Sequence, residues 1–444
     1  MFHRQSGIPA KFRVIAHRSA CVISLASLLG IASSATAAVL CVNSAGTGGC
    51  YTTISKAVTA AAAGDTITVA PGRYRESVHI EKSLSIVGAS NTTTTIEATG
   101  LANGVYIDGL DSATPLSHVV ISGFTVYNAQ FEGILVQNAS YVTISNNLVF
   151  DNDLALNITA GTCTGQPPFE TSEGDDCGEG IHLMGVDHST VSGNDVHENS
   201  GGILITDETA PNHDNAVIYN LVHDNAYDCG ITLASHPAYV KTGTAPLAFG
   251  IYHNTIANNQ SSHNGYGSPG GGAGVGLFAP GPGNSTTDNS VVGNILEGNS
   301  LPGVAVHNHV YLTFPGHPPN PDVNDNTIIG NYIAANAGDS DLPTTVRTGI
   351  SILGTTPITG LVIANNLIED EDIGVATNSA SNLDLHLNNF SGLSVGIDNL
   401  NSSGTINATQ NWWGCAAGPG ETGCSTITGG STVVAAPWLA APAS

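Results

Sequence analysis

Across 444 residues the chain sets 35 acidic side chains against 10 Lys and Arg, a formal charge of −25, and only 10% of its residues are charged. So few bases exclude nucleic acid as a partner, because phosphates are met by Lys and Arg, and exclude attraction to an anionic membrane. The low charge fraction suits neither a disordered acidic tail nor a helical bundle. A chain rich in Gly, Asn, Thr and Val points instead to an extended β architecture.

The first segment reads as an export signal. Arg4, Lys11, Arg13 and Arg18 precede an apolar run from Ala20 to Ala32 and a small-residue cleavage site at Ala35-Thr36-Ala37. That run is too short to span a bilayer. Without residues 1–37 six bases face the same 35 acids, a charge of −29. The protein is therefore expected to be secreted or periplasmic. The cysteines agree: Cys41 with Cys50, Cys163 with Cys177, and Cys415 with Cys424 would each close a short loop in an oxidising compartment. Cys229 is left over; its parity with Ile231 and Leu233 makes it a buried structural thiol.

A repeat follows. Short apolar strands and turn asparagines recur as ISNNLVFDN, VSGNDVHEN, VIYNLVHDN, IYHNTIANN, VVGNILEGN, IIGNYIAAN and VIANNLIED. The first turn asparagine is read at Asn147, Asn194, Asn220, Asn254, Asn294, Asn331, Asn366, Asn389 and Asn411, and a second at Asn152, Asn199, Asn225, Asn259, Asn299 and Asn336. Glycine-led strands lie between, with intervals of 22 residues from Gly180 to Gly202 and from Gly374 to Gly396. Three short strands in about 22 residues make one coil of a right-handed parallel β-helix, its Val, Ile and Leu alternating inward and its asparagines laddering along the turns.

On these residues the chain resembles the pectin-lyase-like superfamily, and more narrowly the secreted right-handed β-helix repeat proteins. The opening CYTTISKAVTAAAAGDTITVAPGRYRE is similar to their first coil, which implies a capping helix over Thr52–Ala62. The closing NWWGCAAGPG is similar to their last coil and cap. The expected fold is all-β: signal at 1–37, N-terminal cap at 38–65, solenoid at 66–411 and C-terminal cap at 412–444. Caps are required because open coils expose strand edges and core. The resemblance implies no one reaction, since a single β-helix hosts lyases, hydrolases, epimerases, adhesins and accessory proteins.

Chemistry is sought where the repeat is broken. Residues 170–236 hold thirteen of the 35 acids and six of the 16 histidines, and no Lys or Arg lies between Lys82 and Lys241. Aligning the glycine strands sets Asp207 and Glu208 against Ser235 and His236 one coil on. Aligning backwards from the turn asparagines stacks Asp187 with His213 and His188 with Asp214, and one strand further on His197 with His223. His182 should point outward between Ile181 and Leu183. The candidate catalytic set is Asp207, Glu208, His213, Asp214, His223, Tyr227, Asp228 and His236. Adjacent carboxylates split each other's pKa values, so one holds a proton while the other stays ionised, as cleavage of a glycosidic bond requires. On this reading Asp207→Asn and Glu208→Gln abolish turnover and leave the melting temperature nearly unchanged. For Asp224, Asn225, His197 and His223, turn and solvated-face roles stand beside the catalytic one. The acidic stretch Glu170, Glu173, Asp175, Asp176 and Glu179 is read as solvated surface, with calcium as its alternative ligand.

The expected function is cleavage of an extracellular polysaccharide by a monomer, as glycosidase or lyase. A uronate lyase needs a cation beside the substrate carboxylate, so the lack of bases favours a neutral glycan, with calcium the one cofactor considered. The alternatives are a non-catalytic glycan-binding or surface protein and a periplasmic metal-handling protein using His197, His223, His236, His307 and His309.

Overall fold

Each coil is written in three short strands. In one, Thr190–Ser192, Asp195–His197 and Gly201–Thr206 follow one another; in the next, Ala216–Ile218, Leu221–His223 and Ile231–Ala234 lie on top of them in parallel register. The middle residue of each three-residue strand (Val191, Val196, Val217, Val222) is buried and its neighbours are not, the period-2 pattern of a pleated strand. A computed structural model describes residues 37–153, 178–267, 271–308, 320–342, 346–378, 382–400, 404–430 and 432–444. Among these the strands form three long parallel sheets of 14, 11 and 12 strands, here sheets 1, 2 and 3 in coil order. The expected parallel β-helix is the fold.

One continuous apolar core runs inside the three sheets from Val42 to Trp413. Its N-terminal end is plugged by the helix Ile54–Ala60, capped by Thr53, which buries Ile54, Ala57 and Val58. The Glu76 carboxylate accepts from the Ile54 and Ser55 amides, both at 2.8 Å, placing an anion at the helix N-terminus. At the other end Trp413 is fully buried against Phe390, and the Cys415–Cys424 disulfide closes the chain beyond it. Cys41–Cys50 is also formed, whereas the expected Cys163–Cys177 pair lies outside the described residues. Strands reach beyond 66–411: Val39–Val42 pairs with Thr66–Val69, and Thr432–Val434 with Thr405–Asn407.

Turns between strands place one residue in the left-handed region and then bury an asparagine. The main ladder is Asn147, Asn194, Asn220, Asn259, Asn294, Asn331, Asn366, Asn388 and Asn411. Each Oδ1 accepts both the backbone N–H and the Nδ2 of the previous rung, at 2.8–3.1 Å. A second ladder is Asn152, Asn199, Asn225, Asn264, Asn299 and Asn336, and a third is Asn215, Asn254, Asn289 and Asn326. The sequence register thus slips by five residues in one coil, where Asn254, Asn259 and Asn264 are spaced alike, and by one at Asn388. The cause is Ser261, which points inward where other coils carry Val or Leu and donates to the Gly274 carbonyl at 2.7 Å. The outward neighbour of His223 in that coil is Ser262.

The second ladder ends on an acid. Glu371 Oε1 accepts the Asn336 N–H and Nδ2 at 2.9 and 3.0 Å, while Oε2 has no hydrogen-bond partner among the described residues. Burial, opposed by the Asn336 bonds, pushes its carboxyl up to about 7. A carboxyl with a raised folded-state pKa gives stability that is full below its ordinary value and lost as pH rises through the folded value. Glu371→Gln keeps the acceptor without the charge. Denaturant unfolding should find this variant about 2–3 kcal/mol more stable than wild type near pH 8 and equal to it near pH 4.5; a pH-independent difference would contradict the account.

Candidate active site on the outer face of the third sheet

Sheet 3 departs from simple alternation. Its outward column Leu135, His182, Leu204, Thr232, Ala305 and Ser351 is buried, as is its inward one. Leading glycines let the coils close here: a Cβ on Gly202 would collide with the Gly230 carbonyl and with Val222. His182 does face away from the core between Ile181 and Leu183, but it is fully buried rather than solvated.

His182 is held at both nitrogens. Nδ1 lies 2.9 Å from Glu132 Oε1 and Nε2 lies 2.8 Å from Thr206 Oγ1, one coil on. Glu132 Oε2 accepts the Glu179 amide at 2.8 Å, and Glu179 Oε2 lies 3.8 Å from His182 Nδ1. Glu179 is therefore not the solvated surface residue the sequence suggested; it is only 3% exposed. Its companions Glu170, Glu173, Asp175 and Asp176, and with them the calcium reading, lie outside the described residues.

Thr206 ends its strand and delivers Asp207 and Glu208, both fully buried. Glu208 Oε1 lies 2.5 Å from His236 Nδ1, the pairing expected from the glycine alignment. Burial would raise Glu208, but His236, His182 and Thr206 outweigh it and hold the carboxyl below its ordinary value. Glu208 Oε2 has no hydrogen-bond partner among the described residues. Imidazoles and carboxylates thus alternate over four coils, from Glu132 and Glu179 through His182, Thr206 and Glu208 to His236. Farther along this face His307 Nε2 is 2.9 Å from Asp339 Oδ2, which also accepts from Ser351 Oγ at 2.7 Å. Asp339 sits at about 2, where His307 and Ser351 prevail over burial.

Asp207 has a different environment. Its carboxylate accepts the His236 amide at 2.7 Å, Ser235 Oγ at 3.1 Å, the Phe249 amide at 2.9 Å and the Gly250 amide at 2.5 Å. Burial pushes it up to about 6 against the pull of the Gly250 and His236 amides. The two carboxyls do diverge, one raised and one lowered. With four donors aimed at it, however, Asp207 ties the 237–250 segment to the sheet, which reverses the expectation that its loss spares stability. Asp207→Asn turns an N–H toward those donors, which should lower stability by about 2–3 kcal/mol and open 237–250 to limited proteolysis. Unchanged melting and cleavage would contradict this role.

The remaining candidates do not join them. His213 ends the short strand Asn212–His213, which pairs with Ile251–Tyr252 ahead of sheet 1; Asp214 follows it, paired at 2.8 Å, and His213 stacks on Tyr252 at 4.9 Å. His223 stands on the outer face of sheet 2. Tyr227 and Asp228 lie in the turn into sheet 3, where Asp228 Oδ2 accepts from Thr232 Oγ1 at 3.0 Å. Glu132, Thr206, Asp339 and Ser351 were not singled out from sequence. Glu132 was within reach, because Glu132-Gly133 and Glu179-Gly180 stack in the glycine alignment. Cys229 is buried as expected, but with Ala273 and Ala305 outside the main core, and burial raises its thiol well above the ordinary value.

The family described as right handed beta helix region matches residues 83–243. No curated protein matches the sequence. Among solved structures, Geobacillus virus E2 ORF18 is similar at 13% identity and TM-score 0.48, over 78% of this chain and 57% of that one. The Azotobacter vinelandii mannuronan C-5 epimerase AlgE4 A-module is similar at 13% identity and TM-score 0.49, over 87% and 93%. An alginate lyase from Paenibacillus sp. is similar at 14% identity and TM-score 0.47, over 74% and 95%. At such identities the likeness is one of fold.

Proposed function

Since the chain is a right-handed parallel β-helix protein, we propose that it is a carbohydrate-active enzyme that cleaves an extracellular polysaccharide by acid–base chemistry on the outer face of sheet 3. The observation that carries this reading is the alternating run of imidazoles and carboxylates ending at Glu208 and His236. With Nδ1 on Glu208, proton transfer falls to His236 Nε2, and the Glu208 charge stabilises the imidazolium formed. Glu132 and Glu179 serve His182 in the same way one coil earlier. Glu208 Oε2, a buried acceptor with no hydrogen-bond partner among the described residues, suits a bound sugar hydroxyl.

The strands of sheet 3 carry no Lys or Arg. A polyuronate laid along these strands would find no lysine or arginine on them to neutralise its carboxylates, so the reading takes a neutral glycan and hydrolysis over elimination. The disulfides Cys41–Cys50 and Cys415–Cys424 suit an oxidising compartment. No helix among the described residues is long and apolar enough to cross a membrane. The test is a panel of neutral and acidic polysaccharides, with calcium and with chelator, read for new reducing ends and for absorbance of unsaturated uronates. Reducing ends from a neutral glycan without that absorbance are expected. Chelator-sensitive absorbance would make the enzyme a lyase, and silence across the panel would overturn the catalytic reading in favour of binding.

A further inference from the structure

We propose that the outer face of sheet 2 carries a site for one divalent transition-metal ion of the zinc class, with Asp195, His197 and His223 as ligands. Asp195 and His197 are two apart on one strand and so share a face, and His223 is the register partner of His197 one coil on. The imidazoles stack with centroids 4.8 Å apart and planes 15° from parallel. Phe150 stacks on the other side of His197 at 5.4 Å and holds that ring in place.

Both imidazoles reach one carboxylate oxygen. His197 Nδ1 lies 3.0 Å, and His223 Nε2 3.2 Å, from the same oxygen, Asp195 Oδ1. Bonds of about 2.0–2.1 Å in a tetrahedral zinc centre set neighbouring ligand atoms about 3.3 Å apart. Both nitrogens stand near that spacing from the oxygen, and the three ligand atoms all lie within 4.8 Å of one another, so an ion could enter with side-chain adjustment. The other nitrogen of His223 faces Asp224 Oδ2 at 2.6 Å. A carboxylate on the far nitrogen fixes the tautomer and aims the near one, as around metal-bound histidines. Two imidazoles and one carboxylate select zinc, copper or nickel over calcium and magnesium. The side chains of His197 and His223 are 20% and 25% exposed, so the fourth position is open to water or a ligand. The nearby group His188, His213 and Asp214 is looser, with His188 Nε2 3.9 Å from Asp214, and serves as the control.

Equilibrium dialysis of chelator-stripped protein against micromolar zinc, with metal counted by atomic emission, tests the site. Wild type and His188→Ala should retain one zinc ion that His223→Ala and His197→Ala lose, with affinity weakened at least tenfold. Asp195→Asn, which leaves both rings stacked, should weaken binding likewise, and its metal-free melting curve shows whether it is folded. The wild-type melting temperature should rise with zinc and that of Asp195→Asn should not. Zinc uptake equal in wild type and all three ligand variants, or no uptake by wild type, would overturn the assignment.

Discussion

His236→Asn is expected to lower kcat about 10²- to 10⁴-fold, the usual contribution of a positioned acid or base, with little change in melting temperature. Asparagine is chosen because its amide can donate to Glu208 from near the place of Nδ1, so the buried carboxylate keeps a partner. It cannot carry a proton to substrate. His236→Ala removes both functions: Glu208, fully buried and held below its ordinary value chiefly by His236, would lose its hydrogen-bonded partner. Losing one partner of a buried pair costs about 3–5 kcal/mol. The alanine variant should therefore be inactive and unstable, the asparagine variant inactive and stable. An asparagine variant with wild-type turnover would remove His236 from the mechanism.

Asn259→Ala is expected to destabilise the solenoid by about 4 kcal/mol, taking 1–3 kcal/mol for each buried polar group left unmet. Asn259 Oδ1 accepts Asn220 N and Nδ2, and its own Nδ2 donates to the Val217 carbonyl and to Asn294 Oδ1. Alanine leaves the Asn220 amide and one of the two Nδ2 hydrogens of Asn220 without acceptors in a site closed to water, the Nδ2 keeping only the Val191 carbonyl. Its neighbour Asn258 is exposed at φ 56° and takes no part in the ladder. Asn258→Ala should cost only about 1 kcal/mol, the strain of the left-handed region. Denaturant unfolding of the two variants makes the comparison; equal effects would mean the ladder is not what holds the coils in register.

The solenoid was legible because its signals are local: an inward aliphatic every second residue, a turn asparagine, and a glycine where coils close. Legibility failed where a locally polar residue did a core residue's job, as Ser261 does. The site was legible in part. Glu208 with His236 emerged from the glycine alignment because one coil's length separates them. In a solenoid, neighbours along the chain turn to different sides, so His213 and Asp214 leave the site that Asp207 and Glu208 share. Glu132 and His182, fifty residues apart, meet across adjacent coils. Glu179 was misread because an acid in an acidic insertion looks solvated, and nothing local announces that its side chain is buried.

The most direct test is the crystal structure of His236→Asn with an oligosaccharide of the best panel substrate. The account predicts the sugar along the outer face of sheet 3, with the glycosidic oxygen within hydrogen-bond reach of residue 236 and a hydroxyl on Glu208. An oligosaccharide seated on sheet 1 or sheet 2, with residue 236 untouched, would contradict it.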